Sequence, residues 1–395
     1  MKLVPINNYV EYRYKVMFWA YKWDPQVYDE NTISRNVLLI DSQTAKTLAG
    51  YSEGLSRESI QMEEALLKNP SLAKGLGIPK KTLAHLRSIK GYNRDEHVRL
   101  MRFDFHPVKQ GGWRISEVNS DVPAGIAEAS ILPRLAKKHV DSGQPYGDVS
   151  FNICKAFDQF MDFDALIALV HLTAYEEDRQ VLECVGDSLF NSGYRVVYAA
   201  PNQLKWKKNK PHSLVAGNEG MLSAIVRYFP AEHFRHYPFG CDTKGFFSPK
   251  VPSCNHPIAL YSQSKRLPLI WDKLGVNCTH WKTLLPETVE VTTDDPDFIL
   301  KPAMGRVGEG IAIKETMTQK VFERCVKAAQ ERPGEWVSQR RFESLPIHDN
   351  DGTPYHLCLG AFTVNCVFAG FYARLSKIAR IDDKAIDVPV LVEEE

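Results

Sequence analysis

The sequence has almost no charge of one sign to spare. Across 395 residues, 49 Lys plus Arg face 48 Asp plus Glu, a formal net charge of +1. A balance this even excludes the electrostatic footprint of a general nucleic-acid binder or of a protein held on anionic lipid. Long apolar runs are missing too, so no segment reads as a bilayer-spanning helix. The opening stretch, MKLVPINNYVEYRYK, lacks the basic-then-apolar pattern of a secretory leader, and a cytoplasmic location is expected. The cysteines (Cys154, Cys184, Cys241, Cys254, Cys278, Cys325, Cys358, Cys366) form no Cys-x-x-Cys pair. They read as reduced, packed thiols rather than a disulfide framework. Repeats and low-complexity tracts are absent, and the one basic cluster, Lys205 to His212, is short and reads as a solvated loop.

What is there is ordinary globular material, 44% hydrophobic and 25% charged. The length suits one large domain or two to three intimately associated ones. Residues 42–92 read as helical, with Ser42 and Pro79 as start signals, and PAGIAEASILPRLAKKH reads as another helix. ALIALVHL (165–172) is an apolar run of strand length. The helical EEDRQVLECVGDSLFNSG and the strand YRVVYAA follow it, an order that predicts a parallel strand–helix–strand unit. SAIVRYF (223–229) predicts a further strand. Beyond residue 255 come a helix over SQSKRLPLIWDKLG, the strands DFILKP and IAIKE around a glycine loop, a helix ending near Glu331, and long antiparallel strands. The fold class is therefore α/β or α+β, in three expected parts. Residues 1–100 are mainly helical, 101–250 carry a hairpin and an α/β layer, and 251–395 form a mixed sheet.

The segment RFDFHPVKQGGWRISEVNSD (102–121) reads as two strands about a glycine turn. With Lys109, Gln110, Gly111 and Gly112 as the loop, Val108 faces Trp113, Asp104 faces Glu117 and Arg102 faces Asn119. Directly opposed residues share a face, with Cβ atoms roughly 4.5–5.5 Å apart, so two carboxylates there repel unless a cation lies between them. Carboxylate oxygens plus an Asn carbonyl suit Mg²⁺. In this register Trp113 and Ile115 share the face of Glu117 and Asn119. A solvated hairpin face with incidental acids fits the spacing as well.

FILKPAMGRVGEGIAIKE carries a second signal. A buried strand delivers Lys301, Pro302 ends regular pairing, and Gly305, Gly308 and Gly310 permit a loop whose N–H groups can approach phosphates. No helix follows directly, so the pattern is neither a Walker loop nor a dinucleotide fingerprint. An ordinary glycine hairpin is the plainer reading, but an unpaired ammonium inside an apolar strand is costly. Lys265, in YSQSKRLPLIW, reads by itself as a surface residue at a helix start. His106 and His171 have no metal-type spacing and read as structural.

Taken together, RFDF…EVNSD…EA, SQSKRLPLIW, KPAMGRVGEG and FAGFYARLSKIARIDDKAIDVPVLV resemble, in order, the synthetase domain of glutathionylspermidine synthase, a member of the ATP-grasp ligases. The similar blocks run from about residue 42 to the C-terminus. The resemblance implies an ATP-grasp-type fold preceded by a pre-ATP-grasp-like α/β layer. It implies Mg²⁺ held by Asp104, Glu117 and Asn119, and ATP phosphates touched by Lys265 and Lys301 beneath a loop containing Gly305, Arg306, Gly308 and Gly310. Arg102 would stabilise charge developing on the reacting carboxyl and phosphoryl groups. Arg306 and Arg374 would position the acid or phosphate, Ser120 and Asp121 would lie at the substrate, and Glu176 and Glu177 would attract a polyamine.

The implied reaction is ATP-dependent amide formation. The γ-phosphoryl group passes to a carboxylate, and an amine then displaces phosphate from the acyl phosphate, with no cysteine or serine nucleophile. The implied partners are a peptide- or glutathione-like acid and a polyamine-like amine, with neither nucleic acid nor membrane; a homodimer is compatible with this reading. Departures stand beside it. SDVPAGIAEAS has Val122, Pro123 and Gly125 where the family's glutathione-contacting run has small polar residues and a cysteine, and Glu309 and Gly310 replace a small residue and Asn. The chain has no room for the amidase domain of the bifunctional relatives. A non-catalytic nucleotide-binding protein of the same fold is the alternative, opposed by the chemically competent residue at every position.

Overall fold

A computed structural model describes residues 1–23, 25–236, 242–293, 295–305 and 310–394. The chain opens with strand β1 (Lys2–Pro5) and helix α1 (Tyr9–Trp19), then returns antiparallel to β1 through β2 (Asn36–Ile40). Helix α2 (Ser42–Lys68) is capped one residue before the predicted start, where Asp41 accepts from the Thr44 amide at 2.7 Å. Its buried Leu48, Leu55, Met62 and Leu66 recur at helical spacing, so one stripe packs into the core and the opposite side meets solvent. A shorter helix, α3 (Lys80–Ser88), starts after Pro79, as predicted.

The hairpin strands β3 (Leu100–Pro107) and β4 (Trp113–Asn119) come next. Residues 123–139, predicted as one helix, break into α4 (Ile126–Ser130) and a second short turn with Pro133 near its start. The predicted parallel unit is present as β5 (Leu166–His171), α5 (Glu176–Asn191) and β6 (Arg195–Ala199), and Gly193 at φ +92° reverses the chain after the helix. Strands β7 (Ala224–Tyr228) and β8 (Ser253–Cys254) complete a parallel sheet of order β8–β7–β5–β6. The Lys205–His212 cluster is not a loop but part of a small antiparallel ribbon, with Lys205 and Lys207 exposed along its edge.

The C-terminal part holds β9 (Phe298–Pro302), α6 (Gln319–Glu331), β10 (Trp336–Arg340), β11 (Pro354–Val364), β12 (Val367–Ser376), β13 (Ile386–Val388) and β14 (Val390–Val392). Two predictions fail here. SQSKRLPLIWDKLG is one short helical turn and two 3₁₀ turns rather than a helix, because Pro268 removes a donor where the ladder would continue. IAIKE forms no strand; Ala312 makes a single bridge to Leu300.

The central sheet is antiparallel, in the order β13–β12–β11–β3–β4. One of its faces carries Phe103, Phe105, Ile115, Val118, Leu357, Leu359 and Ala361 into the main core, which also takes the buried stripe of α2. The other face carries the polar residues of the next section. The mixed α/β class expected from the sequence is the observed one.

Candidate active site

The β3–β4 register places Asp104 opposite Glu117 and Arg102 opposite Asn119, as predicted, by a route the sequence did not reveal. Pro107, not Val108, faces Trp113, and a bulge between Asp104 and Phe105, with Ser116 as the extra residue, restores the expected pairs. The bulge also corrects the face. Trp113 pairs with Pro107 and Ile115 with Phe105, so Ile115 joins the core, whereas Glu117 and Asn119 face the polar side. Out of step with the ladder, the Ser116 carbonyl is free to accept from Lys301 Nζ at 3.0 Å.

Four strands supply one wall. Arg102 donates to Asp104 through Nε (2.7 Å) and Nη2 (3.0 Å), a bidentate contact, and through Nη1 to the Ala124 carbonyl. Asn119 Nδ2 and Arg374 Nη2 also donate to Asp104 Oδ2, at 3.1 and 3.2 Å. Asn119 thereby keeps its carbonyl oxygen uncommitted to Asp104. Opposite Asp104 stands Gly360, and a Cβ there would come within 2.8 Å of Arg102 Cδ. A glycine inside a strand marks close approach; here the guanidinium stem lies over it.

The lysines meet the other carboxylate. Lys265 Nζ is 2.9 Å from Glu117 and donates to the Gly305 carbonyl at 2.7 Å, so it is a buried partner of the hairpin rather than a surface residue. Lys301 donates to Gln339 Oε1 at 2.7 Å. Burial pushes the Glu117 carboxyl up, but the ammonium groups of Lys265 and Lys301 outweigh it and hold it well below the carboxylate range. Burial pulls Lys301 down to about 8, with Lys265 adding to the fall and Glu117 opposing it. Around Asp104 and Glu117 there are four cations, Arg102, Lys265, Lys301 and Arg374, for two carboxylates. That surplus suits a multiply charged anion.

Of these cations and carboxylates, all except Lys265 border a cavity of about 740 Å³. Lys301, Arg102 and Arg374 lie along it with Asp104, Glu117 and Asn119, while Glu128, Glu177, Asp178 and Asp387 also line it. His106, on the same wall, bonds the Leu357 carbonyl and Ser116 Oγ at 2.9 and 3.0 Å; burial pulls it down to about 4, so it is neutral.

The remaining predicted residues divide. Glu177 lines the cavity; Glu176, exposed, is not among its lining residues. Ser120 and Asp121 do not reach the cavity. Ser120 is held by Arg99 and Gln263, and Asp121 is ion-paired with Arg227 and accepts from the Ala231 amide, so both serve buried structural networks. Gly305 supplies its carbonyl to Lys265, and Gly310, at φ +70°, packs so closely on Pro302 that a Cβ would lie 2.7 Å from it. Arg306, Gly308 and Glu309 lie outside the described residues. Sequence reasoning missed Lys22, Glu128, Gly360, Tyr372 and Asp387. Only Gly360, a lone glycine inside an apolar strand, had a readable signal.

The donor set fits a hard cation: two carboxylates opposed across a strand pair, with an Asn carbonyl beside them. Among the described residues no three His, Cys, Asp or Glu side chains gather, so such an ion would take further ligands from water or a phosphate. Paired lysines, one of them bonded to the Gly305 carbonyl, set against an oxygen-rich hairpin, fit a ligase-like protein of the ATP-grasp-related class. The chain belongs to the glutathionylspermidine synthase pre-ATP-grasp family, whose model matches residues 8–393. A glutathione synthetase-like effector from Globodera pallida, solved in its apo form, superposes with TM-score 0.67 and 12% identity over 97% of both chains, which shows the fold. A structure assigned to a γ-glutamylcysteine synthetase of Methylobacillus flagellatus aligns at TM-score 0.43 and 12% identity, over 85% of this chain and 86% of that one, too loosely to carry an argument. No curated protein sequence matches the chain.

Proposed function

We propose that the protein is an ATP-dependent carboxylate–amine ligase that forms an amide through an acyl phosphate. The observation that carries the reading is the set of four cations around Asp104 and Glu117, three of which (Arg102, Lys301 and Arg374) line one cavity beside a hard-oxygen donor set, with Lys265 reaching Glu117 from outside that lining. Lys265 and Lys301 bind the ATP phosphates, with Gly305 held at Lys265 through its carbonyl. Asp104, Glu117 and Asn119 would hold Mg²⁺, which would supply positive charge to offset that of the phosphates. Arg102, fixed by Asp104 and Ala124, faces the oxygens on which charge grows during transfer. Arg374 orients the acid carboxylate.

The carboxylate oxygen takes the γ-phosphoryl group and ADP departs. A neutral amine then attacks the acyl carbon, inorganic phosphate leaves, and the attacking nitrogen loses a proton. The acid is a peptide of the glutathione type, and the amine is a polyamine or another amino compound drawn toward Glu177. Family membership supports the ligase class; the presence of guanidinium and ammonium groups together with carboxylates along one cavity supports an acid and an amine as its two substrates. The test is ADP release by purified protein with Mg·ATP over a matrix of peptides and amines that includes glutathione with spermidine. Release that requires one acid and one amine together is expected. ATP binding without release for any pair favours the non-catalytic alternative, and no ATP binding rules out both.

A further inference from the structure

One carboxylate pair lining the cavity, Glu128 and Asp387, already holds an ammonium group, and it belongs to the protein. Lys22 Nζ lies 2.6 Å from Asp387 Oδ2 and 3.0 Å from Glu128 Oε1, while Tyr372 Oη donates to the other oxygen of Asp387 at 2.7 Å. Three distant segments meet there: the stretch after α1, helix α4 and strand β13. Tyr21 delivers the lysine. It sits in the left-handed region at φ +58°, which costs a non-glycine residue energy, and its hydroxyl is tied to Asp187. Burial works to lower the Lys22 pKa, but Asp387 and Glu128 outweigh it and hold it well above the usual lysine value, so the group is a cation.

A separate observation shows that the place is made for more than this contact. Thr32 lines the same cavity and is only 5% exposed, yet its hydroxyl has no hydrogen-bond partner among the described residues. Its carbonyl accepts from the Asp387 amide at 2.7 Å, which sets the side chain beside the carboxylate pair. A buried hydroxyl without a partner is uncommon and marks where a ligand atom completes the set.

We propose that Lys22 is a specificity-determining residue: its ammonium fills a cation subsite built by Glu128, Asp387 and Thr32, and an amine substrate bearing a second ammonium must displace it. The proposal rests on the reading of the cavity as a carboxylate–amine ligase site and narrows which amines enter. A second cationic nitrogen gains little while Lys22 is seated, because two ammonium groups cannot share one carboxylate pair without repulsion. Amines without a distal charge meet no such competition. Removing the lysine charge opens the subsite to diamines.

The test is calorimetric, with ATP absent. Wild type, Lys22→Met, which keeps most of the stem, and Lys22→Arg, which keeps the charge, are titrated with 1,4-diaminobutane and with uncharged 1,4-butanediol. Lys22→Met is expected to bind the diamine at least tenfold more tightly than wild type, with no such gain for the diol, for Lys22→Arg, or for Lys22→Met combined with Glu128→Gln. Equal diamine affinity in wild type and Lys22→Met overturns the proposal, as does a gain that survives Glu128→Gln. Should Lys22→Met not fold alone, its recovery by the diamine and not by the diol supports the subsite, and no recovery by either removes it. ADP release is followed in parallel with Mg·ATP over the full matrix of peptides and amines. If it is absent throughout, the ligase reading fails, while the titrations still decide the role of Lys22.

Discussion

Arg99 and Arg102 lie three residues apart in the sequence, and both are buried beside a carboxylate. Arg99 meets Glu63, the Ser120 carbonyl and hydroxyl, Ser262 and the Leu100 carbonyl, so one positive charge answers one negative charge and its donors are used. Arg102 shares Asp104 with Arg374, whose Nε has no partner among the described residues, and two lysines stand at the neighbouring carboxylate. The first network is closed; the second is left with positive charge to spare. A saturated buried ion pair holds the fold, whereas an unbalanced one on a cavity wall has been left for something to complete. The Asp121–Arg227 pair belongs with Arg99, which is why Asp121 is structural despite its place next to the hairpin.

The sharpest way to break this contrast is to remove Glu117. With Glu117→Ala the two lysines lose their carboxylate and the donor set loses a ligand, and turnover is expected to fall by about 10²–10³-fold or more. ADP release by folded variant, checked by circular dichroism, measures it; near-normal turnover would detach the hairpin from the chemistry. Arg99→Met should show the opposite profile. Stranding Glu63 costs about 3–5 kcal/mol of stability, read by denaturant melts, while the protein that remains folded keeps its ATP affinity. If Arg99→Met instead lowered ATP affinity in the folded protein, the division between closed and open networks would fail.

A smaller effect is expected at Gly360. A methyl group within 2.8 Å of the Arg102 stem must displace it, and overpacking of this kind costs about 1–3 kcal/mol. Gly360→Ala should therefore reduce kcat more than it weakens ATP binding; equal losses in both would place Arg102 at the nucleotide rather than at the reacting carboxyl. The smallest effect is that of pH. Lys301 falls from the usual lysine value to about 8 in the folded protein. Its folded pKa lies below its unfolded one, so the protonated lysine costs stability below pH 8, and the cost is relieved as pH rises toward 10.5. On the proposed reading ATP binding is expected to run the other way, needing the ammonium and weakening above pH 8 by at most about tenfold per unit. Lys301→Arg should move that limb upward in a pH series of ATP titrations, and an unmoved limb would assign it to another group.

What could be read from the sequence follows the range of the interaction. Asp104, Glu117, Asn119 and Arg102 were legible because a two-residue period and a glycine turn fix a local register. The bulge at Ser116 was not, since one extra residue leaves no mark in composition; it kept the predicted pairs but sent Ile115 to the core. The strand–helix–strand unit was legible from apolar runs and Gly193. The region after Gln263 was misread because the apolar spacing imitates a helix that Pro268 interrupts. Lys22, Glu128 and Asp387 come from segments far apart in the chain, and no periodicity links them. Ser120 and Asp121 were assigned to substrate by resemblance, and their burial against Arg99 and Arg227 is a tertiary fact.

The order of strands in the central sheet bears on how the molecule is made as well as on what it does. Strands β3 and β4 form a hairpin that can close early, as can the neighbouring pair β11 and β12, because each joins residues near one another along the chain. The seam between them, where Asp104 meets Gly360 and Phe105 meets Leu359, closes only when most of the intervening chain has been looped out. Arg102 gains its resting place over Gly360 at that moment and not before. The slow step of refolding and the completion of the candidate site's wall are thus expected to be the same event, and a partly folded chain would display its hairpin with Asp104 paired to Arg102 but without Arg374 from β12.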